Sequence, residues 1–202
     1  SARVKNMTRR AIKTSTYIMA PLMIGLAFCS NTIVELVLTE KWLPCVPFLQ
    51  IFCITYMFQP VHTANLNAIK AMGKSDIFLK LEIIKKIVGM SLLLSTMWFG
   101  VMAMAYSLLV SCVLSQIINS WPNKRLLGYG YLEQLRDFMP GVILAVVMGI
   151  CVYFIGYINL PNIIVLIIQV IVGATIYIVM SIVFKLESFL YLWNMVKTYL
   201  KK

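Results

Sequence analysis

Residues 87–119 read IVGMSLLLSTMWFGVMAMAYSLLVSCVLSQIIN and contain no charged side chain. A transmembrane helix needs about 20 residues, so this stretch is too long for one span and short for two. With one span, the Lys and Arg residues of the chain divide 10 to 8 between the two sides of the membrane. With two spans that meet at Trp98-Phe99-Gly100 they divide 17 to 1, and Lys41 alone lies opposite. Because Lys and Arg concentrate in cytoplasmic loops, the sequence predicts two spans here, with both ends of the chain cytoplasmic.

The composition favours a membrane protein. The chain is 61% hydrophobic and 12% charged, whereas a soluble domain carries about 25% charged residues. A formal charge of +11 is compatible with nucleic-acid binding, but that function needs a basic face on a soluble fold. Here the charges lie in clusters between apolar runs. We therefore predict no nucleic-acid partner, and attraction of the basic clusters to anionic phospholipids.

The predicted fold is all-α, a polytopic membrane protein with one transmembrane domain over residues 1–202. Its six spans are predicted over residues 16–38, 43–68, 77–98, 101–119, 138–158 and 162–184. Proline lacks the N–H that a helix needs, so Pro21, together with Gly25, is expected to break the first span and Pro60 to kink the second.

Between the fourth and fifth spans lies the longest hydrophilic segment, residues 119–137. It is predicted to be a cytoplasmic connector that carries a short amphipathic helix over residues 131–137. Asp137 is expected to cap the fifth helix, because Asp is a favoured N-cap residue.

Three charges fall on the third span if it ends at Trp98 and begins near Asp76. Glu82 and Lys86 stand four residues apart with the acid first, the order that favours an ion pair on a helix. Lys85 lies beside them. Charged groups at membrane depth are costly and usually face a cavity, so these three residues are candidates for substrate contact.

The five cysteines show no metal-ligand spacing, and a thiol in an apolar segment behaves as a small hydrophobe. They are Cys29, Cys45, Cys53, Cys112 and Cys151. We predict no disulfide framework, no metal site and no cofactor.

Several segments of the sequence are similar to a known family of membrane transporters. These are PLMIGL (21–26), EKWLP (40–44), VPFLQ (46–50), NLNAIKA (65–71), GKSD (73–76), LKLEIIKK (79–86), NKRLL (123–127) and EQLRD (133–137). Together they resemble the polysaccharide-transporter branch of the multidrug/oligosaccharidyl-lipid/polysaccharide exporter superfamily. Its members are bacterial flippases for O-antigen and other lipid-linked oligosaccharides. The likeness covers nearly the whole chain and is most specific over residues 73–86.

Members of that family are longer proteins with two lobes of helices. The resemblance implies that this chain is the C-terminal six helices of such a protein. The missing N-terminal helices would then be its partner, and a first residue Ser1 in place of Met agrees with a fragment.

The resemblance also implies a function, the export of lipid-linked oligosaccharide across the bacterial inner membrane by alternating access. The substrate would be an undecaprenyl pyrophosphate-linked glycan, whose pyrophosphate needs cations. Lys85 and Lys86 are the candidates for that contact, with Glu82 setting their position. In the alternative interpretation, Glu82 pairs with Lys86 at the membrane rim while Lys85 extends to lipid phosphate.

Uncharged polar residues on the second span are further candidates. Gln50, Gln59, Asn65 and Asn67 could line a path for the glycan, or they could form hydrogen bonds between helices. His62 is the sole histidine of the chain and could couple transport to protons, or it could be a structural hydrogen-bonding residue.

Other functions remain open at this stage. A multidrug exporter of the same superfamily would share the helices but favour an acidic cavity. A membrane enzyme of glycan assembly, a polymerase or ligase, would need a catalytic group on an external loop, and the predicted outer loops are very short. The sequence therefore predicts a protein that is not an enzyme.

Overall fold

The computed structural model of the chain describes residues 2–158 and 160–200, and this part is helical throughout, with short turns. Its nine α-helices are α1 (Ala2–Phe28), α2 (Ser30–Leu38), α3 (Val46–Met57), α4 (Gln59–Ala71), α5 (Ser75–Thr96), α6 (Val101–Leu127), α7 (Tyr131–Ile155), α8 (Asn162–Val183) and α9 (Glu187–Leu200). Short 3₁₀ helices occupy Glu40–Cys45 and Met97–Phe99. The described residues contain no β-strand, which confirms the predicted all-α class.

Within the described part, five helical segments are long and apolar enough to cross a membrane. They are Ala2–Phe28, Glu40–Ala71, Val101–Leu127, Tyr131–Ile155 and Asn162–Val183. The chain is therefore a multi-pass membrane protein. The residues of the predicted third span form the continuous helix α5, but the charges in its first half keep it outside this group, and its crossing of the membrane stays a prediction.

The charge-free central stretch turns where the sequence predicts. Helix α5 ends at Thr96, and α6 begins at Val101 after the 3₁₀ turn Met97–Phe99. Gly100 has φ +96°, a conformation that residues with a Cβ rarely adopt. The turn thus depends on a glycine at this position.

Helix α1 is longer than the predicted span and is not interrupted at Pro21 or Gly25. It begins at Ala2 instead of residue 16, so the first basic cluster lies on the helix. Pro21 cannot donate to the carbonyl of Tyr17, but the hydroxyl of Tyr177 on α8 donates to that oxygen at 2.8 Å. The neighbouring helix therefore replaces the missing donor, and the expected break at Pro21 is wrong.

The break falls instead at Cys29, between α1 and α2. There the carbonyl of Ala27 accepts hydrogen bonds from Ser30 Oγ at 2.7 Å and from Gln50 Nε2 at 3.3 Å. Side chains thus satisfy a backbone group that the interrupted helix leaves unpaired, as the bilayer interior requires.

A second break separates α3 from α4 at Phe58, two residues before Pro60. Pro60 occupies the first turn of α4, where the missing N–H costs least. The predicted kink is therefore present, with its centre at Phe58.

The expected connector before the fifth span is mostly helical. Helix α6 continues to Leu127 and stops at Gly128, whose φ of +61° is the left-handed conformation that ends many helices. Helix α7 begins at Tyr131 and runs through residue 137 without interruption. Asp137 is therefore not a cap: it lies two turns inside α7, with a side chain that is 3% exposed.

The core forms where α7 packs along α1, and α1 also contacts α3 and α4. Ile12, Ala20 and Ala145 are fully buried there. Gly149 lets the two helices approach most closely, because a Cβ at this position would lie 2.6 Å from Phe28 Cδ2 and 2.8 Å from Ile24 Cγ2.

We expect Gly149→Ala to destabilise the protein. The added methyl group overlaps two apolar side chains of α1, and overpacking of this kind costs about 1–3 kcal/mol. Gly141→Ala on the same helix is the matched control, since its Cβ would lie at ordinary contact distance, 3.6 Å, from Thr16 Cγ2. Thermal unfolding in detergent should give a lower midpoint for Gly149→Ala alone. Equal midpoints for the two variants would contradict the close approach.

Candidate functional site

The charges on α5 pair differently from the prediction. Glu82 forms its ion pair with Lys85, three residues on, and not with Lys86. Lys85 is half-buried and Lys86 is exposed. Within residues 2–158 and 160–200, Lys86 makes no ion pair. Lys86 therefore keeps its positive charge available, as does Lys80, which is exposed and outside these ion pairs earlier on α5.

Lys86 lies at the edge of an open groove of about 680 Å³ between α5 and α6. The two helices approach closely here, because a Cβ on Gly89 would lie 3.2 Å from Ser111 Oγ. Apart from Lys86 and two serines, the lining is apolar: Ile87, Gly89, Met90, Leu93, Leu94 and Leu108, with Ser91 and Ser111. The groove thus combines one cation with an apolar wall.

Side chains of α6 hold α4 through an amide ladder, defined as Gln116, Asn119 and Asn123. These residues lie three and four positions apart, so they share one face of the helix. Their amide nitrogens reach Phe58 O at 3.0 Å, His62 Nδ1 at 3.0 Å and Asn65 Oδ1 at 2.8 Å. All three side chains are buried. The ladder therefore satisfies polar groups of α4 in successive turns.

Asn65 connects the amide ladder to α7. Its Nδ2 donates to Gln134 Oε1 at 2.7 Å, and Ser120 Oγ donates to the same oxygen at 3.0 Å. Gln134 in turn donates to the carbonyl of Tyr129 at 3.2 Å. Asn65 is fully buried, so one side chain joins three helices in a site without exposure to solvent.

A charged cluster lies beside this network, around the buried carboxylate of Asp137. Arg9 donates to both of its oxygens, at 2.7 and 2.9 Å, and Lys13 Nζ lies 3.5 Å away. Tyr129 donates a third hydrogen bond at 2.9 Å. Burial and the adjacent carboxylate raise the pKa of the Tyr129 phenol, so it stays protonated and continues to donate.

Lys13 extends the charged cluster to α9. Its ammonium group lies 2.6 Å from Glu187 Oε2, and this hydrogen bond lowers the pKa of the Glu187 carboxyl. Next to Tyr129 in the sequence, the carbonyl of Gly128 accepts a hydrogen bond from Lys5 at 2.6 Å. The first turns of α1 are thus tied to both the α6–α7 turn and the C-terminal helix.

The structure brings some of the predicted site residues together and separates others. His62 and Asn65 both face α6, and His62 also lies 3.5 Å from Cys112 Sγ. Gln50 is directed towards the break between α1 and α2, with Nε2 3.2 Å from Ser30 Oγ. Gln59 and Asn67 are exposed. The four amides therefore do not form one polar path in the described part of the chain.

The sequence analysis missed the amide ladder and the partners of Asp137. A signal for the ladder exists, since polar residues recur at helical spacing at the end of an otherwise apolar span. No comparable signal exists for the pairing of Asp137 with Arg9, because the two residues are 128 positions apart.

The described residues do not favour bound-metal chemistry, since no group of three or more His, Cys, Asp or Glu residues among them could hold an ion. What the site offers is a set of hydrogen-bonded amides, available ammonium groups on α5 and a charged cluster. These are groups for binding and packing in a multi-pass membrane protein.

Comparison with known proteins agrees with this class. A family model described as a polysaccharide biosynthesis protein matches residues 1–47. The chain is 26% identical over 172 residues to an uncharacterized membrane protein in the cps region of Klebsiella pneumoniae, covering 81% of this chain and 34% of that protein. No solved structure matches the chain.

Two further relatives carry names from polysaccharide biosynthesis. The teichuronic acid biosynthesis protein TuaB of Bacillus subtilis (strain 168) is 23% identical over 149 residues, 73% of this chain and 30% of TuaB. The lipopolysaccharide biosynthesis protein WzxC of Escherichia coli (strain K12) is 26% identical over 142 residues, 64% of this chain and 28% of WzxC.

The resemblance to polysaccharide transporters that the sequence analysis identified is thereby confirmed. The three relatives are named as membrane or biosynthesis proteins, in agreement with the interpretation that this chain is not an enzyme. The chain spans about a third of the length of these relatives.

We expect Asn65→Ala to destabilise the protein more than Asn67→Ala. Loss of the Asn65 side chain removes its buried hydrogen bonds with Asn123 Nδ2 and Gln134 Oε1, and each such bond contributes about 0.5–1.5 kcal/mol. Asn67 is exposed on the same helix and serves as the matched control.

Thermal unfolding in detergent measures the difference between the two variants. A midpoint that falls for Asn65→Ala and stays at the wild-type value for Asn67→Ala is the expected result. If both variants unfold at the wild-type temperature, the network around Asn65 does not stabilise the fold.

Proposed function

We propose that this protein takes part in the export of lipid-linked oligosaccharide across the bacterial inner membrane, for polysaccharide or lipopolysaccharide biosynthesis. The observation that carries the proposal is the charged helix α5. It has one buried residue, Leu81, and it presents Lys86 at the edge of an apolar groove. A cation beside an apolar wall suits an amphiphile that has an anionic head and a long hydrocarbon tail.

The substrate that fits this proposal is an undecaprenyl pyrophosphate-linked glycan. Its pyrophosphate would contact Lys86 directly. Lys85 would join that contact by exchanging its ion pair with Glu82 for one with the pyrophosphate, which carries more negative charge. Movement would follow alternating access, with the head group passing from one side of the membrane to the other. The names of TuaB and WzxC support a polysaccharide precursor as the cargo.

The predicted polar residues of the second span divide into two groups under this proposal. Gln59 and Asn67 are exposed and available to glycan hydroxyl groups. Gln50 and Asn65 already form hydrogen bonds between helices, so their proposed role is structural. His62 bonds to Asn119, and its involvement in proton coupling stays a prediction.

The proposed topology has six spans, with α5 as the third, and both ends of the chain on the cytoplasmic side. The charge asymmetry of 17 to 1 supports it, because translocating Lys and Arg is unfavourable. The contact between Lys13 on α1 and Glu187 on α9 also supports it, since it brings the two ends of the chain to the same end of the bundle.

Reporter fusions to the natural gene product test whether α5 crosses the membrane. Alkaline phosphatase should be active when fused after Gly100 and inactive after Gly128, because the two positions are separated by one further helix. Green fluorescent protein should show the reverse pattern. A fusion after Gly73 precedes α5 and controls for expression. If alkaline phosphatase is active after Gly128 and inactive after Gly100, α5 does not cross the membrane.

Substitution of the α5 cations tests the substrate contact. In the natural gene product, Lys85→Gln combined with Lys86→Gln should lower surface polysaccharide about tenfold or more. The reason is that hydrogen bonds to a charged group contribute roughly 1.5–3 kcal/mol each. The measurement is immunodetection of surface glycan, normalised to the protein present in the membrane.

Lys74→Gln combined with Lys80→Gln is the matched control, because both residues are exposed and belong to the same basic cluster. It removes the same charge from the same end of α5. Normal export by the Lys85/Lys86 variant at normal abundance would reject the contact. An equal loss of surface polysaccharide in the control variant would show that export depends on the overall positive charge of this segment and not on a contact with Lys85 or Lys86.

A further inference from the structure

A polar pocket of about 420 Å³ lies between α1 and α9, away from the α5 groove. Its lining includes three cations and one carboxylate: Asn6, Arg9, Arg10, Lys13, Thr14, Glu187, Ser188 and Tyr191. Arg9 and Lys13 are engaged with Asp137, and Lys13 also with Glu187. The pocket therefore has an excess of positive charge.

Arg10 is the cation of this pocket that remains available. Among the described residues it makes no ion pair, and its guanidinium lies over the ring of Tyr191, 5.0 Å from the ring centre. The stacking on Tyr191 holds the group in place while its N–H donors stay open. The Oγ1 atom of Thr14 is buried and without a hydrogen-bond partner. The open Arg10 guanidinium suits one phosphate, which it can bind through two parallel hydrogen bonds.

An apolar groove of about 540 Å³ begins beside this pocket and follows α1 towards its C-terminal end, against α7 and α8. One face of α1 lines both cavities, with residues three or four positions apart: Asn6, Arg10, Lys13, Tyr17, Pro21 and Gly25. Two polar side chains along the groove form hydrogen bonds, since Tyr17 OH lies 2.9 Å from Ser181 Oγ and Gln169 Nε2 donates to Val152 O at 3.1 Å, whereas the buried Gln169 Oε1 has no partner. The other lining residues are mostly apolar, so the groove presents a mainly hydrocarbon surface.

Helix α9, beside the polar pocket, carries side chains that favour the membrane interface. Its first turn forms one wall, and Leu190 and Trp193 on the same helix are exposed. Lys197 lies over the Trp193 ring at 5.4 Å. Exposed tryptophan and lysine on a short helix beside a transmembrane bundle are typical of the membrane interface.

We infer that these two cavities form one binding site for an anionic phospholipid. The phosphate would bind Arg10 in the polar pocket, and an acyl chain would lie in the apolar groove along α1. The excess of positive charge favours an anionic head group over a zwitterionic one, whose added ammonium would be repelled by Arg10 and Lys13. This site is separate from the α5 groove and does not depend on the proposed export function.

Native mass spectrometry of the purified, delipidated natural gene product tests this inference. Dioleoyl phosphatidylglycerol, dioleoyl phosphatidylcholine and a polyprenyl phosphate serve as probes. We expect phosphatidylglycerol to bind about tenfold more tightly than phosphatidylcholine. Arg10→Gln should weaken phosphatidylglycerol binding about tenfold and reduce that preference, because it deletes a charge-assisted hydrogen bond and one positive charge of the pocket. Arg3→Gln on the same helix removes an equal charge outside the pocket and should have no effect.

A second pair of variants tests the groove. Ala174→Phe places a ring in the apolar groove and should weaken binding of both phospholipids. Val179→Phe, on an exposed part of α8 outside the groove, should not.

The inference would be overturned if Arg10→Gln and Arg3→Gln had equal effects, or if the two phenylalanine variants did. Tighter binding of polyprenyl phosphate than of phosphatidylglycerol would also overturn it, since the occupant would then be the carrier. Loss of export in the Lys85/Lys86 variant with unchanged phosphatidylglycerol binding separates this site from the proposed function.

Discussion

The structure depends on one constraint, that polar groups inside a bilayer must find partners within the protein. At three irregular points of the bundle, a side chain from another helix supplies the partner. Tyr177 donates to the carbonyl that Pro21 leaves unpaired, and Gln50 donates to Ala27 at the break between α1 and α2. The amide ladder performs the same task beside the break at Phe58. The helices can therefore bend and stop within the membrane without exposing unpaired backbone to lipid.

The same constraint explains which features of the fold were predictable. Apolar length and the distribution of charge are local properties, and they predict the turn near Gly100 and the start of α5 near Asp76. Whether a proline breaks a helix, or a carboxylate caps one, depends on partners from distant parts of the sequence. Pro21 was expected to break α1, but Tyr177, far along the chain, satisfies Tyr17. Asp137 was expected to cap a helix, but Arg9 neutralises it inside one. Neither partner is visible in the local sequence.

In the candidate site, too, the sequence predicts some features and leaves others undetermined. The sequence analysis selected the α5 charges and the polar residues of α4 because charged and amide groups are uncommon at membrane depth. It predicted Lys86 as the partner of Glu82, and this was wrong, because spacings of three and four both bring side chains together on a helix. The structure selects Lys85 and leaves Lys86 at the groove. Similarly, Asn65 and Asn67 look equivalent in sequence, but one joins three helices and the other is exposed.

The length of α1 has a consequence for the bilayer itself. Helices α1 and α6 each contain 27 residues, about 40 Å of helix, which exceeds the roughly 30 Å hydrocarbon core. Their excess lies at the same end of the bundle, where Lys5 of α1 contacts Gly128 after α6. Two overlong helices tied at one end must tilt together when the membrane thins. Since basic side chains occupy the tied end, a change in thickness would move several positive charges through the head-group layer at once, making this bundle responsive to the membrane in which it lies.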